Sequence, residues 1–513
     1  MEKGEHIKVK KAAVHKLLRR KDKSEKIYAK NSYDAPSVWV YARNHVAMAI
    51  ILLFGWLRDF MNRHVFYTEP SVCEREDMKD FVPLYTTFER FFVRHVIERG
   101  YDVLHRPVCT VPGALIDIRE RDFSSSGKFL GYTGKVFRNI VNLGSYNYLG
   151  FAENEGTCAD AAVDAVAKLG VGVCSSRFEV GNHEIHNKLE KKMAEFLGVE
   201  DCLTFGMGFA TNSMNIPCFV GKGCLVISDA CNHASLAIGC KISGATIRVF
   251  KHNDTEDLER ILRDSIVGGR PRTHRPWRKI LILVEGIYSM EGTIVNLPEV
   301  VRLKKKYKAF VYLDEAHSIG SLGPNARGVT DYFNIDPSEI DILMGTFTKS
   351  FGASGGYIAG SRAVIEHLRA NSHSACYAVS MSPPVAQQAL TSLELMMSQE
   401  GKQRITKLAE NTKHFRQKLR TFGFIVYGHE DSPVIPLLAY LPTHIACFSR
   451  EMLYRGFGVV VAGFPSTPLG ESRVRFCVSS ALSEDQINKA LEAISDIGDL
   501  LRLKISSKVK NMD

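Results

Sequence analysis

Ile340-Asp-Ile-Leu-Met-Gly-Thr-Phe-Thr-Lys349-Ser-Phe-Gly-Ala-Ser-Gly-Gly356 decides how this chain is read. Ile340–Met344 is a short apolar run of the kind that forms a buried strand. It leads into a lysine flanked by Thr346, Thr348 and Ser350, and a glycine run closes the stretch. Upstream, Phe310-Val-Tyr-Leu313 repeats the layout and delivers Asp314-Glu-Ala-His317 at its carboxyl end. Open α/β sheets place their ligands at such strand ends.

A lysine among hydroxyl side chains, with an Asp and a His from a neighbouring strand end, is what a pyridoxal 5'-phosphate (PLP) site requires. The lysine forms the Schiff base, and the Asp keeps the pyridine nitrogen protonated so that the ring acts as an electron sink. Asp-Glu-Ala-His also matches the Mg-binding box of some helicases, which needs a GxxxxGK[ST] phosphate loop. Gly127-Lys128, Gly134-Lys135, Gly221-Lys222 and Gly401-Lys402 all lack the following Ser or Thr, so that reading fails.

The formal charge is +10, but residues 1–30 hold 11 Lys/Arg against 4 acids, and the remainder is near balance. The body therefore has no nucleic-acid footprint. The 12 cysteines lie singly with no CxxC pair, which favours a reducing compartment and no metal site. Residues 1–34 read as a basic disordered tail, too rich in Lys and acids for a transit peptide. Residues 35–80 read as a membrane-associating segment around the apolar run Val46–Leu57, with Trp39 and Trp56 near the interface. A span needs roughly 20 apolar residues. A single span would also carry the body away from the cytosol, so a helix lying in the cytoplasmic leaflet is expected. Packing of this helix on the body is the competing reading.

Residues 81–140 form an N-terminal arm, with a helix expected over 80–107 carrying Phe88, Phe91, Phe92 and Val96. Apolar runs at Ala245–Phe250, Ile280–Val284, Phe310–Leu313, Ile340–Met344 and Gly356–Ala359 alternate with helical patterns at Thr255–Ile266 and Pro298–Tyr307. This predicts an α/β unit over 141–385, with a mostly parallel central sheet and helices on both faces. Gly206-Met-Gly208-Phe209 turns from a strand into a helix start, where free N–H groups suit a phosphate. His233 follows another apolar strand and could stack on a flat ring. Residues 386–513 read as a smaller α+β domain, with strands at Phe424–Tyr427, Val434–Tyr440, Val459–Val461 and Arg473–Ser479, and helices from Pro384 and from Ser483. Arg475 on an alternating strand needs an anion if it points inward, and a substrate carboxylate would serve; a surface ion pair is the alternative.

These residues, with Asn142-Leu-Gly-Ser-Tyr146-Asn147-Tyr-Leu-Gly150, Ser176-Arg177, Asn232-His233-Ala-Ser235 and Gly463-Phe-Pro-Ser-Thr-Pro468, resemble the α-oxoamine synthases. That family comprises fold-type-I PLP enzymes that condense an amino acid with an acyl-CoA and release CO2. The likeness is greatest to the eukaryotic branch that joins L-serine to palmitoyl-CoA, and it runs from about residue 60 almost to the end. The resemblance implies that Lys349 is the Schiff-base lysine and Cα base, Asp314 pairs with the pyridine nitrogen, His317 with the ring hydroxyl, and His233 stacks on the ring. Gly208, Phe209, Thr346 and Thr348 would hold the phosphate; Arg475, with Tyr146 and Asn147, would meet the serine; Pro465–Pro468 would border the acyl-CoA entrance. It further implies a heterodimer with a non-catalytic paralogue, an active site at that interface, small regulatory membrane subunits, and an endoplasmic reticulum membrane location facing the cytosol. A sister synthase and a non-catalytic subunit are the alternatives. Two departures stand out: Ser479-Ser-Ala-Leu482 where a His is usual, and Asn182-His-Glu184 where Asn-Leu-Asp is usual.

Overall fold

The computed structural model describes residues 38–65, 77, 80, 81, 91–123 and 130–506. The basic tail (1–34) and Phe88 lie outside the described residues. The apolar N-terminal segment is one helix, Val38–His64, of 27 residues. It extends well beyond the run read from sequence, because Trp39, Tyr41 and Ala42 continue the pattern past Arg43 and Asn44. The arm that follows is not one regular helix. From Phe91 it tightens and widens through a π turn (Val93–Ile97), a 3₁₀ turn (Glu98–Gly100) and a short α-helix (Tyr101–Leu104).

Strands β1 (Leu115–Phe123) and β2 (Leu130–Asn142) then pair as an antiparallel hairpin. The central sheet comprises β3 (Asp201–Phe205), β4 (Leu225–Asp229), β5 (Thr246–Phe250), β6 (Ile280–Glu285), β7 (Phe310–Asp314), β8 (Ile342–Thr346) and β9 (Gly356–Gly360). Their order across the sheet is β3-β9-β8-β7-β6-β4-β5. Only β9 runs against its neighbours; all other pairings are parallel. The inner strands are covered on both faces, so they read as continuous apolar runs. Ile282 and Val284 face the core built with Leu189, Phe196 and Leu393, while Leu281 and Leu283 face the core with Leu236 and Ile365. Edge strand β5 leaves Ile247, Arg248 and Val249 exposed.

Beyond the sheet, β10 (Val434–Tyr440), β12 (Val460–Ala462) and β13 (Ser472–Cys477) form a second sheet in the order β10-β13-β12, with β11 (Phe457–Gly458) joining β2 instead. The arm's hairpin is therefore stitched to the C-terminal lobe. Phe424–Tyr427 does not form the expected strand. It meets β10 at a single bridge, Val426 to Leu437, because Pro436 has no N–H to continue the ladder; Arg416 Nη1 donates to the Tyr427 carbonyl instead. The long helix from Pro384 is two, Pro383–Met397 and Gln399–Thr421, broken at Ser398, whose Oγ caps the second. The last helix starts at Ser483 with a Ser483/Gln486 capping box. Leu482, in place of the family histidine, is fully buried in the C-terminal core, and His183 caps the helix Glu184–Leu197.

Candidate active site

Four neighbouring parallel strands, β4, β6, β7 and β8, end at the same edge of the sheet, and each delivers a polar group there. Asp314 closes β7 and is buried. Its Oδ2 accepts from Asn212 Nδ2 at 2.8 Å, and its Oδ1 accepts from the Ala316 N–H at 2.9 Å. Asn212 is itself fixed: its Oδ1 accepts from Tyr312 OH at 2.8 Å, and its second amide proton goes to Ser235 Oγ at 3.0 Å. Ser235 passes the chain on to His233 Nδ1 at 2.8 Å. That nitrogen also accepts from the Ser235 N–H, so the ring proton sits on Nε2, on the open side. Burial lowers the His233 pKa, the Asp314 charge opposing it.

Lys349 follows β8 and is half-buried, with its ammonium 5.5 Å from the centre of the Tyr146 ring. Desolvation, only partly offset by Asp314 and Glu285, brings its pKa down to about 8. The amine is thus still mainly protonated near physiological pH, but a far larger fraction is free as base and nucleophile than in an ordinary lysine. His317 is buried, Tyr148 OH lies 2.9 Å from its Nδ1, and Tyr146 meets it edge-on at 5.0 Å. Burial, with Lys349 and Arg475 nearby, holds its pKa well below the usual imidazole value.

Thr346 and Thr348 bring their hydroxyls to 2.7 Å of each other, and Thr346 Oγ1 donates to the Gly355 carbonyl at 2.9 Å. Facing them is the first turn of the helix Gly208–Ser213, whose N–H groups have no partners within the helix. Gly208 is required there: a Cβ would lie 2.8 Å from Thr346 Oγ1 and 3.3 Å from the Gly355 carbonyl. Phe209 packs edge-on against His233 at 6.0 Å.

On the opposite wall, Arg475 of β13 stands over the Tyr146 ring at 4.8 Å. The guanidinium is buried, yet it has no carboxylate partner among the described residues. Nη1 reaches Ser289 Oγ at 3.1 Å and Met290 Sδ at 3.8 Å, and Nε is buried without a partner. This excludes the surface ion-pair alternative. Arg473, two residues earlier, is the paired one, with Glu471 at 3.2 Å and Glu291 at 3.6 Å.

Lys349, Asp314, His317, His233, Tyr146 and Arg475 are therefore gathered in one cleft, with Gly208, Phe209, Thr346 and Thr348 beside it. Asn147 is the exception: its side chain donates to the Pro112 carbonyl and accepts from the Ala152 N–H, so both ends of the amide shape the loop. Asn212, Ser235, Tyr148, Ser289 and Glu285 were not singled out from sequence. Glu285 lies in register with Asp314, is buried, and accepts from the His233 N–H. Burial and the Asp314 charge push its pKa well up.

Residues 138–494 match the family of class I and II aminotransferases. The chain is 51% identical to human serine palmitoyltransferase 3 over 94% of its length and 88% of that protein. It is 43% identical to serine palmitoyltransferase 2 of Saccharomyces cerevisiae, over 94% and 86%.

This chain belongs to the serine palmitoyltransferase family.

Among solved structures, the Sphingomonas wittichii serine palmitoyltransferase superposes with a TM-score of 0.71 at 27% identity, covering 83% of this chain and 99% of that one. The S. paucimobilis serine palmitoyltransferase, solved with PLP and myriocin, gives 0.67 at 30%, covering 73% and 90%. The fold is thus fold type I, and the serine palmitoyltransferase cofactor is PLP. The residues present fit that group. A lysine amine of lowered pKa suits its aldehyde, an anchored carboxylate its ring nitrogen, and a Gly/Thr cradle closed to any Cβ its phosphate, while the orphaned Arg475 Nε suits the carboxylate of an amino acid.

Proposed function

We propose that this chain is the catalytic subunit of a serine C-palmitoyltransferase, which condenses L-serine with palmitoyl-CoA to 3-ketosphinganine, CoA and CO2. The observation that carries the reading is Arg475: a buried guanidinium without a carboxylate, across one aromatic ring from a lysine whose pKa is brought to about 8. A free α-amino acid is the anion that completes it.

Bound PLP supplies an electron sink for the negative charge that develops at the serine Cα. The remaining work falls to the chain. Arg475, with Ser289 behind it, grips the serine carboxylate and so orients the bonds at Cα. Lys349 Nζ, its pKa lowered by burial, would be the base that removes the Cα proton. Asp314, held by Asn212 and the Ala316 N–H, would pair with the ring nitrogen. His233, its Nδ1 held by Ser235, would stack on the ring, and His317, held by Tyr148, would meet the ring hydroxyl. The 465–468 loop, exposed except at Thr467 and beside Phe464, would border the route of the acyl chain. In this reading residues 141–385 hold the cofactor and 386–513 supply Arg475 and the acyl-CoA side.

The chain works with a non-catalytic paralogue of serine palmitoyltransferase subunit 1 type, the active site lying at their interface, and with small regulatory membrane subunits. In this reading the complex sits on the endoplasmic reticulum membrane with the body in the cytosol, and the long apolar helix supports the membrane attachment. Its 24-residue apolar stretch Val38–Met61 is long enough to cross a bilayer, but one stripe packs on the body, which favours a helix lying in one leaflet.

The test is an absorbance scan of the chain co-expressed with that paralogue. The cofactor band is expected to shift with L-serine, and palmitoyl-CoA should then release CoA. A band that responds to glycine and not to serine would indicate a sister synthase; no band at all would indicate a non-catalytic subunit.

A further inference from the structure

Beside the N-terminal helix lies a cleft that the reaction does not use. Its volume is about 600 Å³, within the range that ligand pockets occupy. Three helical walls meet there: Ile50 and Phe54 from Val38–His64, Val96 from the arm, and Ala446 from the helix Pro442–Tyr454. The rim is cationic. Arg58 and Arg99 both line it, no acidic residue does, and neither arginine has an ion-pair partner among the described residues. Neighbouring cations are neutralised. Arg450 is tied to Asp102 by two 2.7 Å bonds, and Arg94 and His95 both close on Asp59.

Two uncompensated guanidinium groups above an apolar wall match an amphiphile with a phosphate head. Ile50 and Phe54 continue into the exposed apolar face of the same helix, so such a ligand would enter sideways from the leaflet. We propose that this cleft holds an anionic glycerophospholipid, its phosphate on Arg58 and Arg99 and one acyl chain along Ile50, Phe54 and Ala446. The proposal rests on the reading that the helix lies in a membrane. The lipid completes the seam between that helix and the body.

The test uses the full chain purified in detergent. Retained lipid is weighed by native mass spectrometry, and the chain is floated with phosphatidylcholine vesicles with and without phosphatidylserine. A phospholipid adduct is expected, with roughly tenfold stronger partition onto the anionic vesicles. Arg58→Glu with Arg99→Glu should abolish the adduct and weaken the preference, the remainder of which belongs to the basic tail, while Arg263→Glu, an exposed cation on the helix Thr255–Gly268, should change neither. Ala446→Trp, which fills the cleft without altering charge, should remove the adduct alone; an unchanged cofactor band shows that each variant is folded. A chain that floats on neither vesicle overturns the membrane reading and this proposal together. Flotation without anionic preference, an adduct that survives both sets of variants, or palmitoyl-CoA or a partner helix recovered in its place overturns the phospholipid proposal alone.

Discussion

At the scale of single residues, the site depends on what surrounds Lys349. An ordinary lysine would stay charged until about pH 10.5; here burial outweighs the attraction of Asp314 and the value falls to about 8. The amine is therefore protonated below pH 8 and free above it. Uptake of PLP by the cofactor-free chain should rise about tenfold per pH unit up to 8 and level off beyond it, as followed by stopped-flow absorbance. A rise continuing to pH 10 would contradict the burial argument. Arg475 makes a second case. Arg475→Lys keeps the charge and loses the planar fork, so KM for serine should rise by roughly 100-fold with the cofactor band unchanged. Lys349, Asp314 and Arg475 were legible in the sequence because each sits on or next to an apolar strand run. Asn212 was not: nothing near it in the chain shows that it meets Asp314, 102 positions away. Asn212→Ala should leave Asp314 short of a donor and lower kcat roughly tenfold or more, with a shifted pH profile that a merely structural role would not produce.

At the scale of elements, strand ends do most of the positioning, and the strands themselves were readable because a doubly covered parallel sheet needs uninterrupted apolar runs. Where a local feature intervened, the reading failed. Pro436 stopped the ladder opposite Phe424–Tyr427, and Ser398, whose Oγ accepts from the Gly401 N–H, restarted a helix that composition alone would have continued. The Gly208/Thr346 cradle proposed for the phosphate shows the same dependence on close approach. Gly208 stands where β3 gives way to the helix Gly208–Ser213, opposite the turn after β8. Gly208→Ala would push a methyl against Thr346 Oγ1 and the Gly355 carbonyl. The variant should fold with a normal melting profile yet release PLP on dialysis with affinity lowered about tenfold or more; unchanged retention would remove the cradle from the phosphate role.

At the scale of the whole molecule, the N-terminal helix is neither buried core nor free anchor. Its inward stripe carries Met48, Gly55 and Asp59. Met48 packs with Phe92 and Leu441, Asp59 pairs with Arg94, and Gly55 lets the crossing close, since a Cβ would lie 2.9 Å from the Phe91 ring. The other face shows Leu53, Trp56, Leu57 and Phe60 to the outside, with Leu53 and Trp56 each 67% exposed. A soluble protein rarely leaves so continuous an apolar patch uncovered. The sequence displayed the apolar run but not its division into two faces, because that division is set by Phe91, Phe92 and Leu441 far along the chain. The two faces make separable predictions. Replacing Leu53, Leu57 and Phe60 by Gln removes outward apolar surface, each full burial of which is worth about 1.5–3 kcal/mol in an apolar medium, and Trp56 is kept because its ring meets Phe91 at 5.7 Å. The variant should move from the membrane pellet to the supernatant on cell fractionation while keeping its cofactor band and melting temperature, since exposed substitutions of this kind shift stability by only about 0.5 kcal/mol. Gly55→Leu should do the opposite: it forces the helix off Phe91 and His95, leaves the chain in the pellet, and lowers the melting temperature of the body. If the Gln variant stayed in the pellet, the exposed face would belong to a partner helix and not to lipid.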